Sequence, residues 1–100
     1  MSILNKLTGA EKKEKIEFVL KLVDRLLEND DLFTDRILLI DTVEEMYLIL
    51  RQLALNSRDE NLLNAFENIA ILRYYLQNRN TLNREILKDV KNYLINVASR

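Results

Sequence analysis

Three pairs of neighbouring carboxylates come closest, by residue type and spacing, to metal or acid–base chemistry. Each pair adjoins the predicted start of a helix, where negative side chains offset the positive end of the helix dipole. Helical di-iron sites also need a Glu-x-x-His pattern, and the chain contains no histidine. We therefore interpret these carboxylates as structural and expect no metal and no cofactor. The pairs are Asp30 with Asp31, Glu44 with Glu45, and Asp59 with Glu60.

The composition excludes most other catalytic groups. Without cysteine or histidine, the chain has no thiolate nucleophile, no disulfide, no zinc–thiolate site and no imidazole base. Its single glycine leaves no phosphate-binding loop of the P-loop or GxGxxG type. The serines at positions 2, 57 and 99 lie near the termini or at a predicted helix cap, without a base to activate them. The sequence predicts no catalytic residue, no enzyme and no small-molecule substrate.

A row of cations in the last predicted helix is the best candidate for a nucleic-acid contact. Arg84, Lys88 and Lys91 are spaced by four and three residues, so they share one face of that helix. Such a row could follow a phosphate backbone. Three cations bring little affinity at physiological salt, however, and a solvated face explains them as well. Ile95 lies in line with them and suits a protein contact better.

The stretch RYYLQNRN, residues 73–80, could extend this basic surface. Arg73 and Arg79 would add charge, and Tyr74 or Tyr75 could stack on a base. The structural interpretation is a helix end followed by a turn. Arg73 falls inside the apolar arc of its helix, so it must reach out to solvent, pair with an acid, or emerge where the helix protrudes.

Residues 76–93 also resemble a helix-turn-helix in outline, with a short turn before a polar helix. In that arrangement Thr81, Asn83, Arg84 and Lys88 would face a DNA groove. The turn lacks the usual glycine, and the preceding helix is long for the motif.

Several apolar residues lie outside the predicted core stripes. Leu48 and Leu55 are seven residues apart and form a second stripe beside Glu44 and Arg51. Broad apolar arcs that pack against two neighbours each would explain them without a partner. Alternatively, they form an interface with another protein or with a second copy of the chain. The predicted interface residues are Phe18, Leu22, Leu48, Leu55 and Ile95.

An all-α fold follows from the abundance of leucine and isoleucine, the absence of proline and the single glycine. Apolar spacing and capping boxes, at Thr8 with Glu11, Asp41 with Glu44 or Thr42 with Glu45, and Ser57 with Glu60, set the helix limits. The main helices are predicted at about 9–28, 42–56, 58–78 and 82–98, with a short extra helix at 31–40. Whether 31–56 forms one kinked helix or two stays open. These helices predict one antiparallel bundle domain over 1–100, with 1–8 a loosely ordered arm.

Charge is unevenly distributed along the chain. Residues 17–72 carry a net charge of −7, whereas residues 73–100 carry +4. This is either ordinary surface charge or a basic end that faces an acidic partner. No run of apolar residues is long enough for a signal peptide or a membrane span, and we expect a cytoplasmic protein.

The sequence therefore predicts a small, non-enzymatic accessory or adaptor subunit that binds another protein or a second copy of itself. The alternative is a nucleic-acid-binding regulator, or an accessory factor of a nucleic-acid-processing complex, that uses the basic C-terminal end.

Overall fold

The described chain consists of four α-helices. The computed structural model describes residues 8–28 and 35–99, and no strand occurs in these ranges. The all-α prediction is confirmed. The predicted arm lies outside the described residues except for Thr8. The helices are α1 (Gly9–Glu28), α2 (Arg36–Ala54), α3 (Glu60–Arg79) and α4 (Arg84–Ala98).

The helices form an antiparallel bundle in chain order. Each helix packs against the next one, and α4 closes the ring by packing against α1. Polar contacts join the start of one helix to the end of its neighbour. Arg84 at the start of α4 donates to the backbone oxygen of Leu27 at the end of α1, and Asn96 near the end of α4 donates to Asn61 near the start of α3. Helix α4 therefore runs opposite to α1 and to α3. Arg73, late in α3, bonds to Glu44 in the first half of α2, so α2 also runs opposite to its neighbours, as the sequence predicted.

One apolar stripe from each helix fills the centre of the ring. In α2 and α3 these stripes repeat at steps of three and four residues, as expected for helices that bury one face. Twelve larger side chains are almost completely shielded from solvent; they are Val19, Val23, Leu26, Val43, Met46, Leu50, Ile69, Leu72, Leu76, Leu87, Val90 and Leu94.

The observed N-terminal cap of α1 is the predicted one, whereas the observed cap of α3 differs from the prediction. Thr8 and Glu11 form the predicted capping box, with backbone-to-side-chain bonds of 3.3 Å and 3.1 Å. At α3 the cap is Asp59, whose carboxylate accepts the backbone N–H of Asn61 at 2.9 Å. The predicted cap, Ser57, instead accepts the N–H of Asp59 at 3.1 Å. A carboxylate two residues further along replaces the hydroxyl because it reaches the free N–H groups of the first turn.

Residues 36–54 form a single helix, α2, which settles for these residues the choice between one helix and two that the sequence left open. Asp35 caps it by accepting the N–H of Leu38 at 3.0 Å, so residues 36–40 belong to the same helix as 42–54. The possible short helix at 31–40 is therefore not a separate element over 36–40, and residues 31–34 lie outside the described part. The predicted caps at Asp41 and Thr42 are wrong. Thr42 is inside the helix, where its hydroxyl donates to the Leu38 carbonyl at 2.7 Å.

Because α2 begins at Arg36, Glu44 and Glu45 do not lie at a helix start as the sequence predicted. Both lie in the interior of α2, away from the positive end of its dipole. Stabilisation of the helix start, the role expected from the sequence, therefore does not apply to this pair. Asp59 and Glu60 do lie at the start of a helix, and Asp30 with Asp31 is outside the described residues.

Asn83→Ala is expected to lower the free energy of unfolding by about 1 kcal/mol. The Asn83 side chain accepts the N–H groups of Glu85 and Ile86, at 2.9 Å and 3.3 Å, and alanine would leave both without this acceptor. Urea denaturation measures the change. Asn92→Ala, at an exposed position inside the same helix, is the matched control and should be neutral or slightly stabilising. Equal effects at the two positions would contradict the capping role.

Candidate functional site

Large apolar side chains form a line along the outside of α2. Ile37, Leu48 and Leu55 keep 74%, 52% and 54% of their surface exposed. Their intervals of 11 and 7 residues correspond to nearly whole numbers of helical turns. Together with the residues between them they alternate steps of four and three, the spacing of a helix that packs along another helix. We call this line the α2 seam: Ile37, Asp41, Glu44, Leu48, Arg51 and Leu55.

The α2 seam points away from the core of its own bundle. An α-helix turns about 100° per residue, so the seam lies nearly half a turn from the buried stripe of Val43, Met46 and Leu50. Leu55 follows the last residue of α2, and its N–H still donates to the Arg51 carbonyl at 3.0 Å. It therefore continues the helical turn and keeps its place in the line. The core of this chain cannot cover the seam.

An ion pair between α2 and α3 neutralises the acid in the middle of the seam. Arg73 Nε lies 2.6 Å from Glu44 Oε1, and Arg73 Nη2 lies 3.4 Å from Glu44 Oε2. The guanidinium also covers the Tyr47 ring, 4.5 Å from its centre, and Tyr47 packs against Phe66 at 5.6 Å. The hydrogen bond from Arg73 to Glu44 raises the pKa of the guanidinium, against the opposing effect of partial desolvation. Arg73 therefore pairs with an acid, one of the options that the sequence left open.

Arg73→Met is expected to lower the free energy of unfolding by about 1–2 kcal/mol. The change removes an ion pair that is about one-third exposed, together with the contact between the cation and the Tyr47 ring. Thermal or urea unfolding measures it. Arg79→Met, at the exposed end of the same helix, is the control, with an expected change below about 0.5 kcal/mol. Similar losses at both arginines would show that the Glu44 contact contributes nothing specific.

The other predicted interface residues do not join the seam. Leu22 is only 5% exposed and belongs to the core, so its expected place on the surface is corrected. The physical reason is that α1 packs against both α2 and α4, which makes its buried arc wide enough to include Leu22. Phe18 on α1 and Ile95 on α4 are exposed. Because α4 lies diagonally across the ring from α2, Ile95 forms no single surface with Leu48 and Leu55.

The basic row of α4 is largely engaged within the chain. Arg84 donates to the Leu27 carbonyl at 3.1 Å, Lys88 to Glu85 at 3.3 Å, and Lys91 lies 2.7 Å from Asp24. The hydrogen-bonding contact with Asp24, and then the charge of that carboxylate, raises the pKa of the Lys91 ammonium group. Two of these contacts hold α4 against α1. The row is thus a helix–helix boundary as well as a charged surface.

The structure separates Arg73 from the α4 cations. Arg73 faces α2, whereas Arg84 and Lys91 face α1, and these two sides of the ring are opposite each other. The continuous basic surface of Arg73 with the α4 cations, which the sequence offered as an alternative, is therefore not formed.

The rest of the RYYLQNRN stretch is the end of α3 and the turn that follows. Tyr74 and Tyr75 are exposed, with their rings edge to face at 5.6 Å, and Arg79 is exposed in the last turn. Asn80 then takes a left-handed conformation, with φ of 53°, and ends the helix. This agrees with the structural interpretation of the stretch.

Sequence reasoning missed Ile37, the most exposed apolar member of the seam. The sequence left open whether residues 31–40 belong to the same helix as Leu48 and Leu55, so Ile37 could not be assigned to one line with them. The signal that could have found it is its interval of 18 residues to Leu55, which is five full helical turns.

Within residues 8–28 and 35–99, no group of three or more His, Cys, Asp or Glu side chains could hold a metal ion. None of the helices in this part of the chain has the length and hydrophobicity to cross a membrane. No protein-family model, curated protein or solved structure matches the chain. Function is therefore inferred from the placement of its own side chains.

Proposed function

We propose that this protein is a non-enzymatic accessory or adaptor subunit that binds another protein, or a second copy of itself, through the α2 seam. The observation that carries the proposal is the line of Ile37, Leu48 and Leu55, each more than half exposed, on the outside of a helix whose other face already fills the core. Aligned apolar residues on a rigid surface favour association, because binding removes them from water.

The seam is suited to recognition as well as to apolar contact. Its apolar side chains lie roughly 16 Å and 10 Å apart along the helix. The exposed charges of Asp41 and Arg51 stand between them and would fix the register of a partner. Because α2 is held by packing against α1 and α3, little conformational entropy is lost when a partner binds.

The nucleic-acid alternative has less support. Arg84, Lys88 and Lys91 have partners within the chain, and Arg73 is on the opposite side of the bundle. A nucleic acid would have to compete with these contacts. We also propose a cytoplasmic site of action, which suits a sequence without cysteine.

Affinity capture from extracts of the native cell, with and without nuclease, tests this proposal. The tagged wild-type chain should retain a protein after nuclease treatment, and Leu48→Glu with Leu55→Glu should lose it. Ile71→Glu, which adds the same charge at a comparably exposed position on α3, should retain it. A partner that is lost only after nuclease treatment would favour the nucleic-acid alternative. Retention of the same protein by the seam variant would remove the seam as its binding site.

A further inference from the structure

We infer that the α2 seam binds the α2 seam of a second copy of this chain. The two seams run antiparallel, related by a two-fold axis that crosses the seam at the height of position 46. This inference rests on the proposed function, because it names the partner of the same surface. Three features of the seam support it: its symmetry about position 46, the signs of its exposed charges, and the internal pairing of its central acid.

The order of residues in the seam is self-complementary. In a two-fold interface, each contact between residue i and residue j of the partner occurs twice. Ile37 and Leu55 are equally distant from position 46, and so are Asp41 and Arg51. Antiparallel pairing about this position places the apolar ends of the two seams opposite each other and places each Asp41 opposite an Arg51.

The exposed charges select the antiparallel orientation. Neither Asp41 nor Arg51 forms an ion pair among the described residues. Ten residues separate them, roughly 15 Å along the helix, so they cannot pair with each other within one chain. A parallel arrangement in the same register would place Asp41 opposite Asp41 and Arg51 opposite Arg51, and both of these like-charge contacts would be repulsive. The antiparallel arrangement instead gives two opposite-charge contacts per dimer.

At the centre of the seam, the one charged side chain, Glu44, already has an ion-pair partner in its own chain. Glu44 and Leu48 are equally distant from position 46, so each Glu44 would meet a Leu48 of the other copy. Arg73 already pairs with the Glu44 carboxylate at 2.6 Å. The methylene groups of Glu44 can therefore pack against leucine while its charge stays compensated.

The seam is short, so the expected dimer is weak. Ile37 to Leu55 spans roughly 27 Å of helix with three apolar side chains per copy. Such a contact is at the small end of specific interfaces, where dissociation constants are on the order of 10 µM. Sedimentation equilibrium of the purified full chain, from about 1 µM to about 300 µM, should show a monomer–dimer equilibrium.

A charge-complementation experiment tests the register. Asp41→Arg alone and Arg51→Asp alone should each weaken self-association roughly 10- to 30-fold, because each creates two like-charge contacts per dimer. An equimolar mixture of these two variants should regain wild-type association, since every introduced charge then faces its opposite. The double variant carrying both changes should also associate like the wild type. Circular dichroism confirms that each variant is folded.

Failure of the dimer can be distinguished from failure of the proposed function. The inference would be overturned if the wild-type chain stays monomeric at about 300 µM. It would also be overturned if mixing the two single variants does not restore association. If capture from extracts still depends on Leu48 and Leu55 in that case, a different protein occupies the seam and the proposed function stands. A dimer that persists in Leu48→Glu with Leu55→Glu would overturn the inference and place self-association elsewhere on the chain.

Discussion

Leu48→Glu combined with Leu55→Glu is expected to weaken protein binding at least about 100-fold while the helices stay intact. Burial of each leucine in an interface contributes about 1–2 kcal/mol, and a glutamate in its place adds the cost of removing a charge from water. A combined loss of about 3 kcal/mol corresponds to this factor. Because both leucines are more than half exposed and point away from the core, folding should not depend on them.

Isothermal titration with the captured partner, or sedimentation where the partner is a second copy, measures this loss. The far-ultraviolet circular dichroism spectrum should match that of the wild type. The free energy of unfolding, measured in urea, should differ by less than about 0.5 kcal/mol. Ile71→Glu, on the outside of α3, should bind normally. A folded double variant with unchanged affinity would exclude the α2 seam as the interface.

Leu72→Ala has the largest expected effect on stability, a loss of about 2–5 kcal/mol in the free energy of unfolding. Leu72 is completely shielded from solvent in the core stripe of α3, and alanine would leave a cavity among the packed helices. A domain of this size has a total stability of about 5–15 kcal/mol, so the loss is a large share of it.

The neighbouring residue provides the control for this core substitution. Ile71→Ala changes a similar side chain in the same helix, but Ile71 is 45% exposed, and the expected loss is below about 1 kcal/mol. Urea denaturation of both variants gives the comparison. Equal losses at positions 71 and 72 would contradict the phase of α3 and, with it, the division between core and surface.

Local sequence signals predicted the parts of the fold that local interactions determine. The start of α1 follows from the Thr8 capping box, and both predicted bounds, Gly9 and Glu28, agree with the structure. Helix α4 begins at Arg84, two residues later than predicted, because the Asn83 side chain caps it. The type of each element was therefore readable, and its first residue depended on which of several polar side chains reached the free N–H groups.

The continuity of α2 could not be read in the same way. Asp41 with Glu44 has the spacing of a helix start, yet this spacing also occurs inside a helix. Packing of Leu39 in the core, one turn before Val43, favours an uninterrupted helix. That contact involves other helices, so no local pattern reveals it. For this reason the sequence did not predict Ile37 as part of the seam.

The candidate site was predictable in part. The helical repeat placed Leu48 and Leu55 outside the core stripe, where the structure has them. The burial of Leu22 depends on how many neighbours α1 has, which its own sequence does not state. The contact between Asp24 and Lys91 joins residues far apart in the chain, so the engagement of the basic row required the tertiary structure.

The most direct test of the α2 seam is its protection from a thiol reagent, since a chain without cysteine allows a single introduced thiol to report on one position. Leu48→Cys and Ile71→Cys would be labelled in dilute pure protein and again in concentrated native extract to which the cysteine-free wild-type chain is added at about 300 µM. We predict that labelling at position 48 slows at least about tenfold in the extract, because a bound protein covers the seam, while labelling at position 71 stays unchanged. A labelling rate at position 48 that is as high in the extract as in dilute pure protein would contradict a protein partner on the α2 seam.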